Sequence, residues 1–339
     1  MATYTVTAQE LIKTADKIRA KLNSTVALQW KSGKGYADAI AAIGSSTVSG
    51  STVNNSGVDL TKKYQVTDTE LTATANAIRA KTGNTAEIEW ASGTGFESAV
   101  NEIVTLALEP FATTSDSNFV AMIQAAHAGT INLQTDAGWN VGDKRTISIS
   151  AFTGGGDVSH AAQSIDIAIS SFANYENCGC VLQFDFADAL AAGNRMNSSN
   201  TNLGGYGGSE MYKTTLPALV NALPAYLRGL LIVFSCKASA GNKSTTIKTV
   251  TGNKLALRSE VEVFGRTIYS AAGEGSQIPY YTTDANRVKK RGHSGSDSFW
   301  WGRSPSANST TSFCNLGVND ASLGFNANYT FGVAPFGCI

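Results

Sequence analysis

Two stretches of this chain repeat each other without a gap: residues 4–43 align with residues 64–103 at a constant offset of 60. Matching pairs include Tyr4/Tyr64, Val6/Val66, Thr7/Thr67, Glu10/Glu70, Leu11/Leu71, Ala15/Ala75, Ile18/Ile78, Arg19/Arg79, Trp30/Trp90, Gly35/Gly95 and Ile43/Ile103. Each copy opens on a capping box, Thr7 with Glu10 and Thr67 with Glu70, placed ahead of an apolar run. Leu11, Ala15, Ile18 and Leu22 then fall on one helical face. A segment carrying the Trp and a Gly-x-Gly turn leads to a second, shorter helix at residues 36–43 or 96–103. A unit of about forty residues cannot bury a sufficient core alone. The stripe therefore has to pack against its sister copy, another chain or a larger assembly.

Residues 44–62, between the copies, are rich in Ser, Gly, Thr, Val and Asn and read as a flexible linker. The expected layout is a first repeat over 1–43, a linker over 44–62, a second repeat with its connection over 63–112, and a large domain over 113–339. Only 15% of residues are charged, and 26 basic side chains balance 26 acidic ones. Such a chain has no electrostatic footprint for nucleic acid or an anionic membrane. No apolar stretch approaches the roughly eighteen residues of a membrane span, so membrane insertion is not expected. The first residues lack the basic and apolar regions of a secretory signal, and synthesis in a bacterial cytoplasm without a signal peptide is the expectation.

Beyond Thr113 the pattern is irregular. Residues 116–128 read as a helix with Phe119, Met122, Ile123 and Ala126 on its apolar face. Residues 145–151, the alternating Ile165, Ile167 and Ile169, and residues 181–186 read as strands. Residues 215–230 read as a helix that tolerates Pro217 in its first turn and is divided at Pro224. Residues 231–236, 255–257 and 261–264 supply further strands, and 194–209 and 238–252 read as long polar loops. The balance is α+β.

Catalytic chemistry finds little support. His127, His160 and His293 have no spacing partners for a zinc site or a triad, and His160 and His293 are expected in solvent. Cys178-x-Cys180 is shorter than the Cys-x-x-Cys spacing of redox and metal sites. The glycines at 204–208 are followed by no Gly-Lys-Ser/Thr. Glu260 and Glu262 would share one face of a strand, where paired carboxylates can do acid–base work, but a structural or calcium role is the simpler reading. Lys289-Lys290-Arg291 reads as a solvated turn. Five cysteines are too few and too scattered for a disulfide scaffold. Buried free thiols are expected, with Cys314 and Cys338 as candidate neighbours. No cofactor, no metal and no enzymatic activity is expected.

The carboxyl-terminal segment carries a compositional gap. Residues 302–339 contain no Lys, Glu, Gln, Met or Trp, although all five types occur earlier. The segment begins at Trp300-Trp301-Gly302-Arg303-Ser304-Pro305 and closes on Gly332-Val333-Ala334-Pro335-Phe336-Gly337-Cys338-Ile339. These ends, with residues 196–209 (Met196-Asn197-Ser198-Ser199 onward, through Gly204-Gly205-Tyr206) and residues 257–265 (Leu257-Arg258-Ser259-Glu260 onward), resemble the variable proteins of diversity-generating retroelements. That family includes phage tropism determinants. The resemblance covers residues 136–339 and implies a C-type-lectin-like domain that displays hypervariable residues on a ligand-binding face. Adenine-directed mutagenesis of Asn-type codons in such systems never yields Lys, Glu, Gln, Met or Trp. The chain departs from the commonest family pattern by Gly302, expected to loosen a turn, and by Phe336 before Gly337. Residues 4–103 in turn resemble repeats of tail and baseplate-associated proteins of phages, which implies attachment or assembly.

Two residue populations follow from the resemblance. Trp300, Trp301, Arg303, Pro305, Phe313, Cys314, Val333 and Pro335 are expected to be buried scaffold. Ser306, Asn308, Thr310, Ser312, Asn315, Val318, Asn319, Ser322, Leu323, Phe325, Asn328, Tyr329 and Phe331 are expected to contact ligand, aromatics giving area and small polar groups adapting. The competing reading has Phe325, Tyr329 and Phe331 filling core while the asparagines make turns. The expectation is a receptor-binding adhesin, of a phage tail tip or prophage-encoded, located in the virion. It would bind a bacterial cell-surface receptor, protein or glycan, and join tail or baseplate proteins through its repeats. A homo-oligomer is expected, a trimer being one form in which avidity would combine weak single sites. The alternatives are a glycan-acting surface enzyme and a purely structural baseplate protein.

Overall fold

A computed structural model describes residues 3–21, 28, 30–32, 34–41, 63–82, 90, 95–96, 108–292, 295–317 and 322–339. The protein is mixed α+β, 30% helical and 29% strand. It divides into two compact units, Met1–Leu108 with Gln124–Ala137, and Glu109–Ile123 with Gly138–Ile339. Among the described residues no helix is long and apolar enough to cross a membrane.

In the first unit each repeat begins with a strand that runs straight into a helix. Strand β1 (Thr3–Thr7) pairs antiparallel with β2 (Lys63–Thr67), register Thr3↔Thr67 to Thr7↔Lys63. The helices are α1 (Ala8–Lys21) and, after α2 (Ala37–Ala41), α3 (Asp68–Thr82). Both capping boxes close: the Glu10 N–H donates to Thr7 Oγ1 at 3.2 Å while the Thr7 N–H donates to the Glu10 carboxylate at 2.6 Å. The corresponding distances at Thr67 and Glu70 are 3.4 and 2.8 Å. Leu11, Ala15 and Ile18 of one copy and Ala75 and Ile78 of the other lie in a single buried core. Of the three packing partners open from sequence, the sister copy is the one used.

The exchange between copies is reciprocal. The Tyr36 N–H donates to Thr74 Oγ1 at 2.9 Å, and the Phe96 N–H donates to Thr14 Oγ1 at 3.2 Å. Gly35 and Gly95 hold left-handed φ of +57° and +63° beside those threonines, and a Cβ on either would stand 2.3 Å from the hydroxyl. Trp30 meets Tyr36 edge-on at 4.8 Å, and Trp90 meets Phe96 at 5.0 Å. Leu22, the 44–62 linker and the second copy's short helix beyond Phe96 lie outside the described residues.

The second unit is built on a five-stranded antiparallel sheet. Its strands are β3 (Lys144–Ile149), β4 (Gln163–Ser171), β5 (Gln183–Phe186), β8 (Leu255–Ala256) and β12 (Phe336–Cys338). The order across the sheet is β8-β12-β5-β4-β3, so the last strand of the chain lies inside the sheet. The expected helices are present as α4 (Asp116–His127), α5 (Leu216–Ala222) and α6 (Ala225–Leu230), the last two separated at Pro224.

Two expectations fail here. Residues 238–252 are not a loop: β6 (Phe234–Gly241) and β7 (Ser244–Asn253) form a hairpin. Its turn uses Asn242 and Lys243, both left-handed at φ 55° and 61°, as a two-residue hairpin connection requires. Its second strand is rich in Ser, Thr and Lys without apolar alternation, and the alternation of the first rests beyond Phe234 on the small Cys236 and Ala238, which hid the pair. Residues 261–264 are not a strand but part of α7 (Glu260–Phe264), opened by a capping box between Ser259 and Glu262. Finally, β9 (Trp300–Pro305), β10 (Ser312–Leu316) and β11 (Leu323–Asn326) form a three-stranded antiparallel sheet that carries the candidate site.

Candidate functional site

Behind this small sheet stands a buried ionic framework. Arg303, fully buried, uses every guanidinium donor: two go to the Glu262 carboxylate, one of them at 2.9 Å, and three to the carbonyls of Lys237, Leu257 and Glu274 at 2.8, 3.0 and 2.7 Å. Burial alone would raise the Glu262 carboxyl, but the charges of Arg303 and Arg258 and the Ser259 N–H hold it below its ordinary value. Arg258 in turn pairs with buried Asp185 at 2.7 Å and lies 3.6 Å from the Phe336 ring centroid. Tyr281 donates to the same Asp185 at 2.7 Å. Trp300, Trp301, Phe313, Cys314 and Val333 are likewise fully buried, and Pro305 and Pro335 are buried with them. Gly302 is interior to β9 rather than in a turn, and a Cβ there would stand 3.1 Å from Leu316 and 3.3 Å from the Arg258 carbonyl.

The segment in front of that framework is pinned through its main chain. Asn194 and Phe331 exchange backbone bonds at 2.9 and 3.1 Å, and the Met196 and Asn197 N–H groups donate to the Ala327 carbonyl. The Asn202 N–H donates to the Thr310 carbonyl at 2.9 Å. Its side-chain amide donates to the carbonyls of Ser309 and Ser312 at 2.9 and 2.8 Å. The Ala307 N–H donates to the Tyr269 carbonyl, and the Ala327 N–H to that of Thr311. None of these bonds uses a side chain of residues 306–331. Asn194 and Asn202 were not singled out from sequence, although Asn202 lies in the Asn-rich run 197–202 that carried the resemblance.

The thirteen expected contact residues separate into groups. Asn308, Thr310, Asn328 and Tyr329 are exposed, Tyr329 at 50%. Leu323, Phe325 and Phe331 are half-buried. The three aromatics form a graded row: Phe331 meets buried Trp301 edge-on at 5.1 Å, Phe325 meets Phe331 at 4.8 Å, and Tyr329 meets Phe325 at 6.3 Å. They neither fill the core nor stand free, but lean outward from Trp301. Ser306, Ser312, Asn315 and Ser322 are buried, against the expectation of display. The reason is register: Ser312 and Asn315 are on the middle strand, flanked on both sides, and Ser322 donates to the buried Glu260 carboxylate. Asn315 is the odd member, since both amide atoms are buried without a hydrogen-bond partner among the described residues. Val318 and Asn319 lie outside the described residues.

Other sequence expectations are corrected by burial. Glu260 and Glu262 sit on a helix, not a strand, at 0% and 1% exposure. Glu260 accepts the N–H groups of Ile268, Tyr269 and Ser270 at 2.6, 3.0 and 2.9 Å and the hydroxyls of Ser270 and Ser322. Burial would raise its carboxyl, and those bonds hold it low. Glu274, whose importance nothing in the sequence signalled, is buried beside Arg303 and Ser304, and burial pushes its carboxyl up to about 7. His160 is buried and stacked on Phe152 at 4.3 Å rather than solvated, and burial lowers its imidazole below the ordinary value. His293 lies outside the described residues.

Lys289 is not part of a solvated turn. It is fully buried, donates to the Phe186 and Ala187 carbonyls at 2.6 and 3.3 Å and lies over the Trp300 ring, and burial lowers its amine to about 8. All five cysteines are free, and Cys338 neighbours Cys178 and Cys180 instead of Cys314. A separate open groove of about 590 Å³ lies between Tyr212, Leu216, Pro217 and Val220 on one side and Val233, Asn253 and Leu255 on the other, and it contains none of the thirteen residues.

The structure thus defines a mixed α+β protein whose small three-stranded sheet presents a half-aromatic, half-polar edge over a buried ionic frame. No family model, curated protein or solved structure matches the chain.

Proposed function

We propose that the second unit is the receptor-binding domain of a phage-type adhesin, with a C-type-lectin-like fold and a diversified face formed by residues 308–331. The observation that carries this reading is the separation of roles within one segment. Its position is set by backbone bonds from Asn194, Met196, Asn197 and Asn202 and by the buried Arg303 pair. The side chains of Asn308, Thr310, Asn328 and Tyr329 are exposed and take little part in that fixing. A segment held in this way tolerates exchange of its exposed side chains, and exchange confined to Asn-type codons would leave the gap in residue types at 302–339. Exposed Tyr beside Asn and Thr is the chemistry of an adaptable contact surface. The first unit, on this reading, attaches the domain to a tail or baseplate and supports a homo-oligomer, in which weak single contacts combine.

Sequencing the 3′ end of the gene across a natural population tests the reading. Substitutions concentrated at 308, 310, 328 and 329, with Trp300, Trp301, Arg303 and Pro335 unchanged, support it. Sparse, uniform variation overturns it and leaves a structural baseplate protein. The glycan-acting alternative rested on Glu260 and Glu262, which are buried and occupied by backbone N–H groups and Arg303. Glycan turnover lost in Glu260→Gln while the fold is retained would revive it.

A further inference from the structure

The peptide between β4 and β5 takes an unusual path. Glu176 and Asn177 are left-handed at φ 44° and 59°, and Gly179 follows at φ 88°. Non-glycine residues in that region are strained and persist where the surroundings hold them, often at functional sites. Here Tyr175 is buried with its hydroxyl on Glu262 at 2.7 Å, and the Gly179 N–H donates to Asn174 Oδ1 at 2.7 Å. The outcome is that Cys178 and Cys180 converge, although their Cys-x-Cys spacing is short for such chemistry. The carboxyl terminus is fastened to the same place: the Val181 and Leu182 N–H groups donate to the Ile339 carbonyl, and the Ile339 N–H donates to the Leu182 carbonyl, all at 2.9 Å. That brings Cys338 to the pair. The three sulfurs lie within 4.8 Å of one another.

We infer that Cys178, Cys180 and Cys338 form a three-thiolate site for a thiophilic divalent cation of the zinc class. A tetrahedral zinc with bonds of about 2.3 Å needs sulfurs about 3.8 Å apart, so the cluster is near the required span before any metal draws it in. The Tyr175 N–H donates to Cys180 Sγ at 3.4 Å, the kind of bond that orients a sulfur ligand. Cys178 is half-buried while Cys180 and Cys338 are buried, so the fourth coordination position opens on the Cys178 side, to water. The cation displaces the thiol protons as it binds. The bound ion would clasp the final strand to the strained loop. The inference is independent of the receptor-binding reading.

The test uses the full chain, purified with reductant, stripped of metal and titrated with Co(II) and then Zn(II). Expected are one cobalt per chain, a thiolate-to-cobalt charge-transfer absorption that one equivalent of zinc abolishes, and proton release on binding. Cys178→Ser should weaken zinc binding by at least about 100-fold, while Cys314→Ser, remote from the cluster, leaves it unchanged. Five reduced thiols with no charge-transfer absorption overturn the site. So does an undiminished absorption in both Cys178→Ser and Cys180→Ser, or a disulfide joining two of the three in protein freshly isolated under reducing conditions. Because the unaltered chain is titrated first, misfolding of a variant leaves the question decidable.

Discussion

The two units solve the same problem, fixing irregular turns, in opposite ways. In the first, a turn is fixed by side chains that the repeat supplies twice: Gly35 and Gly95 seat against Thr74 and Thr14, and each Trp meets the aromatic residue six positions on. In the second, the segment 306–331 is fixed by backbone bonds, by charges buried beneath it and by its inward hydroxyls at Ser309, Thr311 and Ser322, while Asn308, Thr310, Asn328 and Tyr329 point outward. The first method makes every copy of the motif indispensable and leaves a periodic trace in the sequence. The second separates what holds the chain from what the chain displays, and so leaves no period at all. Exchangeable side chains are compatible only with the second.

The sharpest way to break this comparison is to remove the charge under the display segment. Arg303→Met strands Glu262 in the interior and should cost about 3–5 kcal/mol, seen as a large fall in the denaturation midpoint of the second unit. A loss no greater than that of a surface substitution would mean that the backbone bonds suffice alone.

Glu274 gives the next effect, through pH. Its folded carboxyl is raised from 4.5 to about 7 by burial, so between those values the unfolded chain is ionised while the folded one keeps its proton. Stability is therefore full below about 4.5, falls as pH rises towards 7 and then levels. At about 1.4 kcal/mol per pH unit the drop is roughly 3 kcal/mol. Asp185, Glu260 and Glu262 act the other way: their lowered values give stability above the ordinary carboxylate range that is lost on acidification. A maximum near pH 5 is expected in urea melts across pH. Glu274→Gln, whose amide oxygen still accepts the Ser239 N–H and whose NH2 donates to Ser304 Oγ, removes the titration and should flatten the upper limb.

In the first unit, Gly95→Ala forces a methyl into Thr14 at a left-handed φ. It should cost about 2 kcal/mol, and Gly35→Ala should cost the same within about 0.5 kcal/mol. Unequal penalties would show the two copies to be less equivalent than their register implies. The smallest effect belongs to the exposed edge. Asn328→Ala and Tyr329→Ala should change stability by less than about 0.5 kcal/mol and, on the proposed receptor-binding reading, abolish attachment to host cells. Asn315→Leu, replacing a buried amide that has no partner, should raise stability by about 1 kcal/mol; a fall would reveal a bond made by that amide.

Much of the helical structure was legible because its causes are local. Thr7 with Glu10, Thr67 with Glu70, the apolar face of 116–128 and the break at Pro224 each depend on residues a few positions apart, and all appear in the structure. The same rule would have found α7, since Ser259 and Glu262 stand three apart like the other boxes. It was missed because alternation of Val and Glu imitates a strand. The hairpin 234–253 was missed for the converse reason: its second strand, rich in Ser, Thr and Lys, imitates a polar loop, and its first alternates mostly through small residues.

The sequence by itself determined the repeat, its capped helices, the α+β balance and the identity of the bulky scaffold at 300–305. Tertiary structure alone decided which polar residues lie inside. Lys289, Glu260, Glu274 and Asn315 resemble surface residues in composition, yet all are buried: Lys289 and Glu274 meet partners from segments tens of residues away, Glu260 is covered by Ser322 as well as by its own following turn, and Asn315 is enclosed on the middle strand. It also brought Cys338 to Cys178 and Cys180 across 160 and 158 positions of chain. Burial and proximity of that kind are properties of strand order and register, which no spacing within a sequence expresses.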